Sequence, residues 1–174
     1  EILKATWIRP EDCIDAKNLH SVWAVRNDAY EIETMVKGYD AIASRMDEIH
    51  KKMQDPELKR EVTPKDSALI STFESCLEMY ARGYRFSNID MDLSEATDFK
   101  VMPGDNKTII PPFTTVDGLG ENVAKSIVEA RKNCPFLSKE DILTRTQLSA
   151  TLLKKLEKLG CLNHLQEENQ MSLF

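Results

Sequence analysis

Val116-Asp117-Gly118-Leu119-Gly120, followed by Ala124, Ile127, Val128 and Arg131, is the stretch on which the reading of this chain turns. Two glycines bracket one leucine, and apolar residues then return at spacings of three and four, the period of a helix face. Glycine lacks a Cβ and adopts positive φ readily, so the backbone can bend tightly and another backbone can approach it closely. Successive N–H groups in such a bend, next to a helix N-terminus, form a concave site suited to a phosphate. The residues between the glycines and the helix lack the Lys-Ser/Thr of a nucleotide-binding P-loop. An ordinary helix-to-helix turn is the competing reading of two glycines alone.

Val116 and Leu119, Ala124 at a close-packing position, Ile127, Val128 and Arg131 together resemble the helix-hairpin-helix module. That module holds the sugar-phosphate backbone of duplex DNA without reading bases. Use of the same fold between proteins is the alternative.

The chain has 174 residues, enough for one domain with a smaller appendage. With 41% hydrophobic and 30% charged residues it reads as globular. No window approaches the roughly 18 consecutive apolar residues of a membrane span, and no signal-peptide pattern is visible, so a cytoplasmic protein is expected. The chain starts at Glu1 and is expected to be a piece of a longer polypeptide. Cys13, Cys76, Cys134 and Cys161 are widely spaced and His20, His50 and His164 do not cluster with them, which favours isolated thiols over a zinc site or disulfide framework. The net charge of −6 argues against a polyanionic partner, but residues 107–165 carry 9 Lys and Arg against 6 Asp and Glu. The positive balance lies where phosphate neutralisation requires it.

The expected fold is α+β, mainly α: a helical segment with a small β-hairpin, then a tandem helix-hairpin-helix domain and a flexible C-terminal peptide. Residues 1–21 are unassigned, and Val22-Trp23-Ala24-Val25 reads as a buried strand. A helix is expected from about Ala29 to Met53, its face formed by Ile32, Met35, Val36, Tyr39, Ile42, Met46, Ile49 and Met53, with Gly38 kinking or splitting it. Lys51 to Arg60 reads as a solvated linker. Thr63-Pro64-Lys65-Asp66 is a helix start, with Leu69, Ile70, Phe73, Leu77 and Tyr80 as the apolar stripe and Arg82-Gly83 as the stop. Arg82 and Arg85 at the exit are either solvated or face nucleic acid or nucleotide. Alternation of Ile89, Met91 and Leu93 predicts a strand over Phe86 to Leu93. A hairpin is predicted near 98–110 about Pro103-Gly104-Asp105-Asn106, and Pro111-Pro112 marks a domain boundary, giving a segment 22–112 and a domain 113–165.

Beyond the first hairpin, Ser138 is expected to cap a short helix with Asp141 completing the box. A last helix runs from about Ser149 to Leu159, ended by Gly160. The two helix pairs imply a duplicated unit, and Thr146-Gln147-Leu148 replaces the glycine hairpin in the second copy, which is expected to pack more than it binds phosphate. Lys154, Lys155 and Lys158 are either a solvated face or backbone contacts. Gln166 to Asn169 is polar and expected to be mobile, yet the chain ends Gln170-Met171-Ser172-Leu173-Phe174. A Leu-Phe pair at an exposed terminus suits a hydrophobic pocket on another protein, with Gln170 at its rim. It resembles the Q-x-x-L-F peptide by which replication proteins bind the bacterial sliding clamp.

From roughly Val22 to Phe174 the chain resembles the C-terminal part of a PolC-type bacterial DNA polymerase III alpha subunit. The resemblance is carried by Leu77-Glu78-Met79-Tyr80-Ala81-Arg82-Gly83-Tyr84, Ile110-Pro111-Pro112-Phe113, Asp117-Gly118-Leu119-Gly120, Pro135-Phe136-Leu137-Ser138-Lys139-Glu140-Asp141 and the closing Gln170 to Phe174. It implies the end of a fingers domain over 22–112, a duplex-binding tandem helix-hairpin-helix domain over 113–165, and a clamp-binding tail over 166–174. It further implies that Gly118, Leu119 and Gly120 present amides to a DNA phosphate, supported by Lys125 and Arg131, and that Gln170, Met171, Leu173 and Phe174 enter the sliding clamp. Met171 departs from the more usual leucine.

The resembled family is an enzyme, a nucleotidyltransferase, but two-metal nucleotidyl transfer needs closely placed acidic ligands. Asp90 and Asp92 alternate on the expected strand, and the resemblance places them outside the palm, so they are expected to be solvent-facing or structural. No cofactor is expected in this piece, with magnesium implied only for the parent polymerase. Expected partners are double-stranded DNA, the sliding clamp and the upstream palm and fingers. The alternatives are a helical protein-protein interaction scaffold, which the overall acidity favours, and a clamp-tethered accessory DNA-binding module.

Overall fold

A computed structural model describes residues 29–168. The strand expected at Val22 to Val25 and the terminal peptide Gln170 to Phe174 lie outside the described residues. The architecture is mainly α with a small sheet.

The helix expected from about Ala29 to Met53 is two helices, α1 (Ile32–Met35) and α2 (Tyr39–Gln54). Gly38 lies between them at φ +103°, a conformation that L side chains rarely adopt, so it ends one helix and begins the next. Ile32, Met35, Ile42 and Ile49 are buried as the periodicity requires, whereas Tyr39, at the start of α2, is exposed. Lys51 to Arg60 is more ordered than a linker: α2 continues to Gln54 and Leu58–Glu61 forms a 3-10 turn.

Helix α3 (Pro64–Ala81) begins as its sequence requires. The Thr63 hydroxyl accepts from the Asp66 N–H at 3.1 Å, and the Asp66 carboxylate accepts from the Thr63 N–H at 3.0 Å, a complete capping box. Partial burial pushes the Asp66 carboxyl up, but the Thr63 N–H, the Thr63 hydroxyl and the Arg45 guanidinium outweigh it and hold the group below its ordinary value. Arg45 on α2 reaches both Glu31 and Asp66, at 3.3 and 3.2 Å, and so ties α1, α2 and α3 together. Leu69, Thr72, Phe73 and Cys76 take the deepest positions of α3. The Thr72 hydroxyl is satisfied there by donating to the Ala29 carbonyl at 2.8 Å.

The strand expected over Phe86 to Leu93 is mostly a turn. Only Arg85–Phe86 (β1) is extended in a sheet. The Asp90 carboxylate then accepts from the N–H groups of Asp92 and Leu93 at 2.8 and 2.9 Å, an Asx turn that ends any ladder. Ile89 and Met91 are both buried, so the alternation recorded two side chains entering the core beside a turn. The predicted hairpin forms: β2 (Lys100–Met102) and β3 (Asp105–Ile110) pair antiparallel around Pro103-Gly104, with a bulge between Val101 and Met102. β1 pairs parallel to β3 in the register Arg85 to Thr108 and Phe86 to Ile109, giving the order β1-β3-β2.

Pro111 and Pro112 redirect the chain and are themselves buried. The Phe113 and Thr114 N–H groups donate to the Glu95 and Ala96 carbonyls at 3.0 and 3.2 Å. One hydrophobic cluster runs through Phe73, Phe99, Phe113, Ile127 and Leu156, so packing is continuous across the expected boundary. Three helices follow: α4 (Glu121–Asn133), α5 (Lys139–Arg145) and α6 (Ala150–Lys158). Ser138 and Ser149 cap α5 and α6 through the N–H groups of Asp141 and Leu152. The root of the tail, expected to be mobile, is anchored: the Gln166 and Glu167 carbonyls accept from the Lys139 and Glu140 N–H groups at 2.8 and 3.1 Å. These are orphan donors of the first turn of α5, which explains the attachment. No described helix is long and apolar enough to cross a membrane.

Candidate nucleic-acid interface

The hairpin is built from a 3-10 turn, a tight bend and the start of α4. Phe113–Thr115 forms the 3-10 turn, closed by the Thr115 hydroxyl on the Pro112 carbonyl at 2.6 Å. The Leu119 N–H then donates to the Val116 carbonyl at 2.9 Å, with Gly118 at φ +82° in the third position of the turn. That is the type II arrangement, which requires positive φ at this position. Val116 and Leu119 point into the core beside Ala124, Ile127 and Val128. Their burial presses the turn onto α4 and leaves Asp117, Gly118 and Gly120 exposed.

The sequence assigns three amides to a phosphate, and the structure separates them. The Leu119 amide is taken by Val116 and its side chain is buried, so Leu119 shapes the bend rather than facing outward. Among the described residues, the Gly118 and Gly120 amides have no hydrogen-bond partner. No side chain caps the start of α4, whose N-cap is Gly120. Two free donors and an open, electropositive helix start therefore share one exposed bend.

Cations approach this bend from two helices. Lys155 on α6 donates to the Asp117 carbonyl at 2.8 Å and lies 3.2 Å from the Asp117 carboxylate. Lys65 on α3 lies 3.1 Å from the other oxygen of that carboxylate. The Lys65 ammonium, then Lys155, holds the Asp117 carboxyl below its ordinary range. Lys125 is exposed one turn into α4 and pairs with Glu121, whose carboxyl it lowers. The sequence leaves Lys155 open between a solvated face and a backbone contact and gives no sign that Lys65 meets the hairpin, because nothing local marks a contact spanning 52 residues.

Arg131 is turned into the fold. Its side chain is 11% exposed, donates to the carbonyls of Met91, at 3.0 Å, and Ser94, and approaches Glu95. It pins α4 to the turn after β1, a role that its place on the helix does not reveal. Arg145 on α5 also holds the C-terminal end of α4, donating to the Ala130, Cys134 and Pro135 carbonyls while its guanidinium covers the Phe136 ring. The Ala130 carbonyl lies in the last turn of α4 and also accepts from the Cys134 N–H, and Cys134 is the C-cap of the helix.

In the second hairpin, the Gln147 N–H donates to the Ser126 hydroxyl at 3.0 Å and the Leu148 N–H to the Thr146 hydroxyl at 3.1 Å. Leu148 is buried. Both amides are spent on packing. Lys154 and Lys158 are exposed on α6.

Arg82 pairs with Glu78, and Arg85 contacts Thr108 and Asp105 at 2.8 Å each, so both guanidinium groups have internal anions or acceptors. The Asp90 carboxylate caps its own turn, accepting from the N–H groups of Asp92 and Leu93, and no group of three or more His, Cys, Asp or Glu that could hold a metal occurs among the described residues. Cys76, Cys134 and Cys161 are free thiols.

Comparison with known proteins matches this geometry. A family model described as a helix-hairpin-helix motif matches residues 83–172. The protein "DNA polymerase III PolC-type" of Bacillus cereus is 45% identical over 152 residues, which cover 87% of this chain and 10% of that protein. The protein of the same name from Oceanobacillus iheyensis is 44% identical over 152 residues, and that of Bacillus subtilis 42%, with the same coverage. The chain thus spans about a tenth of the length of the curated relatives it matches. It belongs to the helix-hairpin-helix family and is homologous to part of the PolC-type DNA polymerase III.

Proposed function

We propose that this chain is a non-catalytic C-terminal part of a replicative DNA polymerase that grips duplex DNA by its backbone, without sequence specificity. The observation that carries the proposal is the pair of unpartnered amides, Gly118 and Gly120, on an exposed bend at the uncapped start of α4. An N–H pair of this kind recognises a phosphate oxygen through charge-assisted hydrogen bonds and offers nothing that distinguishes one base from another. Leu119 holds the bend in shape, and Lys125 adds a cation one turn into the helix. The closed second hairpin makes this an asymmetric grip, with one hairpin reaching a phosphate and the other serving as a support.

The terminal residues Gln170, Met171, Leu173 and Phe174 would enter the sliding clamp and hold the polymerase to its template. Tethering acts through effective concentration, so a modest peptide affinity is enough to raise processivity. Magnesium would belong to the palm of the longer protein, and no residue here takes part in nucleotidyl transfer. Such a protein works in the cytoplasm.

The test is duplex binding by the whole chain over a salt series. Binding should be independent of sequence and fall linearly in a plot of log affinity against log salt. Equal affinity at low and high salt would rule the hairpin out as a phosphate site. Deleting Leu173 and Phe174 should abolish retention on immobilised sliding clamp and leave duplex binding unchanged.

A further inference from the structure

Between the exposed hairpin and the helices behind it stands a three-residue cluster from three separate parts of the chain. The Asp117 carboxylate sits between the ammonium groups of Lys65 and Lys155, 3.1 and 3.2 Å away, and Lys155 also donates to the Asp117 carbonyl. All three side chains are between 42% and 66% exposed. A Cβ built on Gly118 would lie 3.6 Å from the Lys155 ammonium, which places that cation against the bend that carries the free amides. Lys158 lines the same cleft as Lys65, Asp117 and Lys155.

We propose that Lys65 and Lys155 are phosphate-contacting residues, kept beside the hairpin in the free protein by Asp117 acting as a resident counter-ion. The proposal rests on the reading of the hairpin as a backbone grip. An exposed ion pair contributes little net stability, because water screens it and side-chain entropy opposes it. An arriving phosphate can therefore take over one or both ammonium groups at small cost while the hairpin amides bind its oxygens. The carboxylate keeps two flexible side chains oriented toward the site, which reduces the ordering that binding requires. Its own charge then opposes the phosphate, so it sets the affinity below what the lysines alone would give. Processive movement along DNA benefits from a grip limited in this way, since each backbone contact must also be released.

The test measures duplex affinity of the whole chain across salt for the wild type and for Lys65→Gln, Lys155→Gln, Lys155→Arg and Asp117→Asn. Each Lys→Gln change should weaken binding about 3- to 10-fold at low salt and make the slope of log affinity against log salt shallower by about 0.9. Lys155→Arg should keep the slope. Asp117→Asn should tighten binding about 3-fold or more, the opposite sign from a residue that merely supports the hairpin. Lys65→Gln lies on another helix and decides the matter if Lys155→Gln lowers the melting temperature. A wild type with a steep slope that both glutamine variants retain would overturn this inference and leave the hairpin reading intact. A wild type without salt-dependent duplex binding would overturn both.

Discussion

The Lys155 ammonium donates to the carbonyl oxygen of Asp117 at 2.8 Å, across 38 residues of sequence. This contact joins the last described helix to the bend that precedes α4, so the second helical pair braces the hairpin of the first. The division of labour between the two copies follows from it. One copy leaves Gly118 and Gly120 amides open, and the other closes its own amides on Ser126 and Thr146 and contributes a cation.

Arg131 and Lys125 lie on the same helix and should behave oppositely. Arg131→Met leaves the carbonyls of Met91 and Ser94 without their donor and should cost about 1–3 kcal/mol of stability. Lys125→Gln removes an exposed cation and should leave stability nearly unchanged. In a salt titration with duplex DNA the slope should become shallower for Lys125→Gln and stay the same for Arg131→Met. The reverse pattern would mean that Arg131 leaves its carbonyls to reach DNA.

The two glycines of the hairpin also separate. Gly118 holds φ +82°, so Gly118→Ala should destabilise by about 1–2 kcal/mol, measured by chemical denaturation. Gly120 has φ −75° and open space where a Cβ would stand, so Gly120→Ala should fold as stably as wild type. A loss of more than about 1 kcal/mol at Gly120 would show that a Cβ there meets neighbouring atoms.

Thr63 starts α3, the helix that carries Lys65. Thr63→Ala removes the acceptor for the Asp66 N–H and should cost about 1 kcal/mol, with Thr63→Ser restoring most of it. Urea midpoints of the three proteins test this, and equal midpoints would deny the cap any role in stability.

Asp105, at the hairpin of the small sheet, accepts from the Thr108 hydroxyl, from Arg85 and from the Lys107 N–H, which together hold its carboxyl at about 2. A depressed value means that the ionised form stabilises the fold. That stability is present above the ordinary carboxylate value, near 4, and is lost as pH falls toward 2. Asp105→Asn should therefore be less stable than wild type at pH 6, and the difference should shrink between pH 4 and pH 2. A carboxyl carbon shift of Asp105 that titrates near pH 4 in the folded protein would contradict this.

Much of the local chemistry could be read directly along the chain. The helix start at Thr63-Pro64, the serine cap at Ser138, the turn at Pro103-Gly104 and the apolar faces of α2 and α4 depend on residues within a turn or two of one another. Short-range hydrogen bonds and periodic burial leave that imprint on composition and spacing. The alternation from Ile89 to Leu93 misled for the same reason, since burial on both sides of an Asx turn mimics a strand of period two. Packing alone decided where the cations go. Arg131 reads as a free helix-face cation, but Met91 and Ser94, some forty residues earlier, present their carbonyls to it. Lys65 reads as an ordinary first-turn lysine, but the shared core turns α3 so that it meets Asp117. A charged side chain takes its partner from whatever the fold brings within 4 Å, and that depends on how every helix packs, which no local window contains.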